Sequence, residues 1–222
     1  DMAQMPVVRT PIAMREFAAA LIRVLRQMGV QPTKQACGVF WSQYALETGA
    51  GGFCWSHNLF NHKVTQSQAA AGVPYMMLAN TWEMEKGKRV TYQPPHPATW
   101  FRAYASFEAA MGDHVAAVKS GRYASSWPAV VAGDVTLYAT RLRERGYYTA
   151  SLASYVALLE AKLKVWNAST AYEDALDDTF DASEADTEPD FSKLADDDDP
   201  PSVIVHPFHF FEPDPDPPKD AA

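Results

Sequence analysis

The stretch Ala45-Leu46-Glu47-Thr48-Gly49, with Asn58-Leu59-Phe60 a few residues later, decides how this chain is read. An apolar helix runs up to one carboxylate and stops at glycine, with Gly51 and Gly52 close behind. Thr33 supplies an N-cap upstream, so a helix is predicted from Thr33 through Val39, Phe40 and Tyr44 to Glu47. A short polar and aromatic loop follows. A carboxyl at the end of an apolar helix lies in a partly dry setting, which raises its pKa and keeps it protonated near neutral pH. Such a group is suited to general acid catalysis.

Outward from this stretch, helical patterns surround one small β element. Thr10-Pro11 reads as a helix start, and Met14, Phe17, Ala18, Leu21, Val24, Leu25 and Met28 recur at helical spacing up to Gly29. Residues 50 to 75 read as loop with short turns. Thr81-Trp82-Glu83-Met84 and Arg89-Val90-Thr91-Tyr92 flank Lys86-Gly87-Lys88, the pattern of a small hairpin. Trp100 to Tyr104 reads as extended. Ser106 caps a helix carrying Phe107, Met111, Val115 and Val118, Asp134 caps another through Leu142, and a last helix spans about Ser151 to Trp166. The expected class is α+β, mostly helical with a small β-hairpin lobe, over residues 1–166.

These stretches together resemble the glucosaminidase family of bacterial cell-wall hydrolases, glycoside hydrolase family seventy-three, over about residues 13 to 163. The resemblance implies a lysozyme-like fold. It also implies hydrolysis of peptidoglycan glycan strands after N-acetylglucosamine, with no metal or other cofactor. It makes Glu47 the general acid, against the commoner role of a lone helix-terminal glutamate as a solvated charge. The family's loop usually continues Asn-Leu-Phe-Gly-Ile-Lys, where this chain has Asn58-Leu59-Phe60-Asn61-His62-Lys63. The family's second acidic residue lies on a hairpin in a Thr-x-Glu pattern, followed by Phe-Arg-x-Tyr-x-Ser. Thr81-Trp82-Glu83 and Phe101-Arg102-Ala103-Tyr104-Ala105-Ser106 match. Glu83 is thus the second carboxylate, and Glu85, two residues along the same strand face, is its rival. The family's late Gly-Tyr-x-Thr segment matches Gly146-Tyr147-Tyr148-Thr149, with Ala150-Ser151 in place of the usual Asp-Pro. Tyr147 becomes a candidate for positioning the substrate, with Tyr148 beside it; a tyrosine packed at a helix end is the competing reading. Trp55 and Trp82 adjoin the motifs and are candidates for stacking on sugar faces, with Asn58 and Phe60 as further substrate contacts. A muramidase or lytic transglycosylase on the same fold is one alternative. A catalytically lapsed wall-binding module of a phage or secretion assembly is another.

Composition narrows the partners. The 222 residues are 47% apolar with six Trp, enough for one domain with a real core plus an appendage. No apolar run approaches the ~20 residues of a membrane span. No charged-then-apolar leader is visible, and the chain opens on Asp1. From residue 167 to 222 there are 17 acidic residues against Lys193 and Lys219, a net −15, which leaves 17 basic and 10 acidic residues, or +7, for the first 166. A basic body suits an anionic polymer. Its basic residues are dispersed without a recognition helix, so nucleic acid is not the expected partner. His57, His62 and His96 lack helical ligand spacing and Asp196 to Asp199 lacks the pattern of a calcium loop, so no metal is expected. Cys37 and Cys54 read as two buried thiols. Residues 167–201 read as a flexible acidic linker. Residues 202–222 hold an apolar segment, Val203 to Phe211, suited to docking on a protein partner, and a Pro/Asp-rich end. The expected location is periplasmic or extracellular at the cell wall, including delivery by a phage particle or secretion system.

Overall fold

The computed structural model describes residues 3–85, 88–148 and 150–181, with backbone only at 83–85 and 179–181. Its helices are α1 (Met14–Gln27), α2 (Lys34–Glu47), α3 (Gln66–Ala70), α4 (Phe107–Lys119), α5 (Trp127–Ala132), α6 (Val135–Glu144), α7 (Leu152–Asn167) and α8 (Ala171–Asp181). Strands β1 (Tyr75–Met77), β2 (Thr81–Glu85), β3 (Lys88–Tyr92) and β4 (Trp100–Arg102) all fall between α3 and α4. The expected α+β class, mostly helical with a small β lobe, is what the chain forms. No helix among the described residues is long and apolar enough to cross a membrane.

α2 is the central element. The Thr33 side chain caps it by accepting from Ala36 N, and every residue from Ala36 to Leu46 is buried. A helix that is buried all round needs neighbours on all sides, and α1, α5 and α7 supply them. Phe17 of α1 stacks on Tyr44 at 5.0 Å, and Trp166 of α7 stacks on Trp41 at 6.1 Å. Gly38 is what lets α7 come this close: a Cβ there would lie 2.7 Å from Trp166 Cδ1 and 2.9 Å from Leu163 Cδ1. Cys37 and Cys54 are both buried free thiols, as expected.

α1 begins later than the Thr10-Pro11 pattern predicts. Its N-cap is Ala13, whose backbone N–H donates to Glu16 Oε2 at 3.3 Å. Thr10 is used elsewhere: its Oγ1 accepts from His57 N at 2.7 Å and so ties the N-terminal arm to the loop after α2.

The β lobe is two separate two-stranded sheets. β1 and β4 pair antiparallel with Met76 opposite Phe101. β2 and β3 form the expected hairpin, with Thr81 opposite Tyr92 and Glu83 opposite Val90. Residues 86 and 87 at its turn lie outside the described residues.

The linker expected from residue 167 does not begin there. Ser169 ends the turn after α7, and Ala171–Asp181 continue as α8, packed on α1. Ala175 is fully buried, Tyr172 Oη donates to Pro32 O at 3.0 Å, and Arg15 pairs with Asp178 at 2.6 Å. The acidic composition masked a helix whose few apolar residues, Ala171, Tyr172, Ala175 and Leu176, recur at helical spacing. Counting the five acidic residues of α8 with the body lowers its charge from +7 to +2. The rest of the linker and the apolar segment at 202–211 lie outside the described residues.

Candidate active site

Glu47 is the last residue of α2, and its side chain is half-buried. Burial raises its carboxyl pKa to about 8. The carbonyl end of α2 acts in the same direction, because a helix C-terminus disfavours negative charge. Two hydrogen bonds oppose these effects. Tyr155 Oη donates to Oε1 at 3.0 Å, and Asn61 Nδ2 donates to Oε2 at 3.3 Å. The same Asn61 nitrogen donates to the Glu47 backbone oxygen at 2.7 Å, so the side chain is clamped to the helix end.

Tyr155 was not singled out in the sequence. It lies on α7, 108 residues from Glu47, and only the packing of α7 on α2 brings the two together. Its ring is stacked on Tyr148 at 3.8 Å, and Tyr148 in turn donates to Ala139 O at 2.9 Å. Leu152, Tyr155, Val156, Leu159 and Leu163 recur at helical spacing and put Tyr155 on the apolar face of α7, but nothing local marks its hydroxyl as a partner of Glu47.

Several residues predicted to contact substrate are buried and have internal partners. Tyr147 is fully buried, and its hydroxyl donates to Phe60 O at 3.0 Å. Tyr148 is buried beneath Tyr155 as described. Asn58 is 2% exposed and closes the loop on itself: its Nδ2 donates to His62 O at 2.8 Å and Arg102 O at 3.0 Å, and its Oδ1 accepts from His62 N at 2.9 Å. Phe60 is buried and stacked on His114 at 3.9 Å. Tyr147, Asn58 and Phe60 hold the loop that presents Asn61.

The two tryptophans divide. Trp55 is half-buried against the Met76, Phe101 and Ala103 cluster. Trp82 is 8% exposed, with the Arg89 guanidinium 4.6 Å from its ring centroid. Trp55 therefore keeps more open surface for stacking on a sugar. Glu83 has its backbone on β2, but its side chain and that of Glu85 lie outside the described part of the structure.

Asn61 stands where the resembling family has glycine. Its φ is 53°, in the left-handed region that asparagine tolerates better than most residues. The backbone shape suited to glycine is thus preserved, and a side chain that reaches Glu47 is added. Behind the loop runs a buried polar chain through Arg102, Asp113, Tyr104, His62, His114, Gln43 and Tyr138. Hydrogen bonds and the charges of Arg102 and His62 hold the Asp113 carboxyl below the usual range despite its burial. Burial keeps the His114 pKa well below its ordinary value.

The chain was compared with known proteins. No protein-family model matches it, and no curated protein matches it. The solved glycoside hydrolase domain of Salmonella typhimurium FlgJ is similar over 77% of this chain and 97% of that chain, at 24% identity and a TM-score of 0.46. At that identity, function has to be read from the residues themselves.

Proposed function

We propose that the chain is a peptidoglycan hydrolase that cleaves glycan strands as an endo-β-N-acetylglucosaminidase, with Glu47 as general acid. The observation that carries this reading is a carboxyl held protonated up to about pH 8 at a helix end, with two hydrogen-bond donors already in place. Burial favours the neutral acid before the reaction. As the proton passes to the glycosidic oxygen, Tyr155 and Asn61 stabilise the carboxylate that forms. The departing sugar leaves an oxocarbenium-like centre. Glu83 on the hairpin activates water toward it or stabilises its charge, unless the substrate's own acetamido group does so. Trp55 supports the sugar chain by stacking. A periplasmic or cell-wall location follows from such a substrate.

Digestion of purified peptidoglycan, with mass spectrometry of the new reducing ends, tests the proposal. N-acetylglucosamine ends are expected. Muramic acid ends would move the activity to a muramidase or lytic transglycosylase. Absence of cleavage by folded protein would leave a wall-binding module.

A further inference from the structure

The hairpin carries two aromatic residues on opposite faces, and only one of them shares a face with the position of the proposed second carboxylate. The register sets Thr81 opposite Tyr92 and Glu83 opposite Val90. Side chains alternate along a strand, so positions 81, 83, 90 and 92 belong to one face and positions 82, 84, 89 and 91 to the other. Trp82 is on the second face, where it is 8% exposed and has the Arg89 guanidinium over its ring. Tyr92 is on the first. It is diagonal to position 83, a separation of about 7–8 Å in an antiparallel pair.

Tyr92 does not stand alone. The exposed His96 ring stacks on it, with centroids 4.2 Å apart and planes 15° from parallel. The segment that carries His96 is pinned at several points. His96 N donates to Gln93 O at 3.0 Å, Thr99 Oγ1 donates to His96 O at 2.7 Å, and Trp100 Nε1 donates to Pro95 O at 3.1 Å. Thr99 and Trp100 are themselves buried, so these tethers anchor the segment to the lobe. The His96 ring is held as well, because Ala98 N donates to its Nδ1 at 3.2 Å. A backbone N–H can only donate, so Nδ1 is the acceptor and the ring hydrogen is on Nε2. The result is a pair of stacked rings, fixed at the surface, with a hydrogen-bond donor at one edge.

We propose that Tyr92 and His96 form a sugar-binding platform beside position 83, which holds an N-acetylhexosamine unit of the glycan strand. The apolar C–H face of the sugar lies against the ring pair, and His96 Nε2 donates to a hydroxyl or acetamido oxygen at the sugar's edge. The rings are ordered before the ligand arrives, which keeps the entropic cost of the contact low. Trp55, on the loop after α2, then supports a different part of the same chain. The choice of a glycan as the ligand rests on the proposed hydrolase reading, but the two fail separately.

The full chain carrying Glu47→Gln, so that turnover does not consume the ligand, is titrated with a soluble N-acetylglucosamine oligomer and followed by NMR of its histidine ring signals. The His96 signals, assigned with His96→Asn, are expected to move along the binding curve. Tyr92→Leu and His96→Asn should each weaken binding by roughly three- to tenfold, the scale of one aromatic stack, while Tyr92→Phe keeps most of the affinity. Asparagine at position 96 still offers an acceptor to Ala98 N, so its effect reports the ring rather than the turn. With Glu47 restored, His96→Asn should raise KM for peptidoglycan and leave kcat near wild type. No binding of the oligomer, or His96 signals that stay still at saturation, overturns the inference even if Tyr92→Leu fails to fold. A loss in Tyr92→Phe equal to that in Tyr92→Leu removes the ring from the contact and overturns it too. A chain that binds the oligomer through these rings but cleaves no peptidoglycan defeats the hydrolase reading and leaves the platform standing. A chain that cleaves peptidoglycan with its His96 signals unmoved does the reverse.

Discussion

Glu47 is held in a balance between burial and two hydrogen bonds, and each side of that balance can be removed. Glu47→Gln keeps the shape and deletes the proton, so the folded variant should lose ~10²–10⁴ in cleavage rate, the scale of acid–base catalysis. For the wild-type chain, kcat/KM should fall as pH rises through about 8, where the acid deprotonates. Tyr155→Phe removes a donor to the carboxylate, and hydrogen bonds to charged groups are worth ~1.5–3 kcal/mol. Its alkaline limb should therefore move up by about one to two pH units, at ~1.4 kcal/mol per unit; an unmoved limb in the pH–rate profile would remove Tyr155 from the site. Stability follows the same titration with a definite sign. The folded pKa of about 8 lies above the ordinary 4.5, so this contribution is present below 4.5 and lost as pH rises through 8. The melting temperature of Glu47→Gln, relative to wild type, should accordingly rise across that window and level off above it.

At the scale of elements, the site depends on α7 lying against α2. That contact brings Tyr155 to Glu47, and Gly38 permits it. Gly38→Ala would gain a little helix propensity but force the buried Trp166 and Leu163 outward. Overpacking of this kind typically costs ~1–3 kcal/mol, so a net loss of about 1–2 kcal/mol is expected in denaturant unfolding. The same variant should weaken the Tyr155 bond to Glu47 and shift the pH–rate profile in the direction of Tyr155→Phe. The loop of residues 58–63 is the second supporting element. Its motif residues Asn58 and Phe60 build the loop, and the two residues that depart from the family pattern, Asn61 and His62, face the carboxylate and the buried polar chain.

For the whole molecule, the described body includes α8, which packs on α1. A chain cut after Trp166 would uncover the surface of α1 that Ala171 and Ala175 cover, and would lose the Tyr172 and Lys34 contacts. Burial of a few side chains at ~25 cal/mol per Å² suggests a loss on the order of 3 kcal/mol. Calorimetry on that truncation and on the full chain measures the loss. The charge arithmetic changes with the boundary as well. A body of +2 attracts an anionic polymer far less than one of +7. The exposed pairs Arg15–Asp178 and Lys34–Glu173 show basic residues already matched by α8.

By itself the sequence determined the features that local chemistry specifies. The apolar run from Thr33 to Glu47 with its cap, the hairpin from Thr81 to Tyr92 and the capped helices after Ser106, Asp134 and Ser151 all follow from period, turn residues and caps, and all are present. It also placed a carboxyl at the end of a buried helix, because helix burial shows in composition. Tertiary structure decided which groups meet. Tyr155 and Glu47 are 108 residues apart, and His62 and His114 are 52 apart, so no local pattern encodes either contact. It also decided that Tyr147, Tyr148, Asn58 and Phe60 turn inward, since a motif names residue types and only packing determines whether a side chain faces core or solvent. The late start of α1 and the helical α8 have the same origin. A cap signal at Thr10 was claimed by a distant backbone donor, and a sparse apolar spacing in an acidic stretch became a helix because α1 offered it a surface to cover.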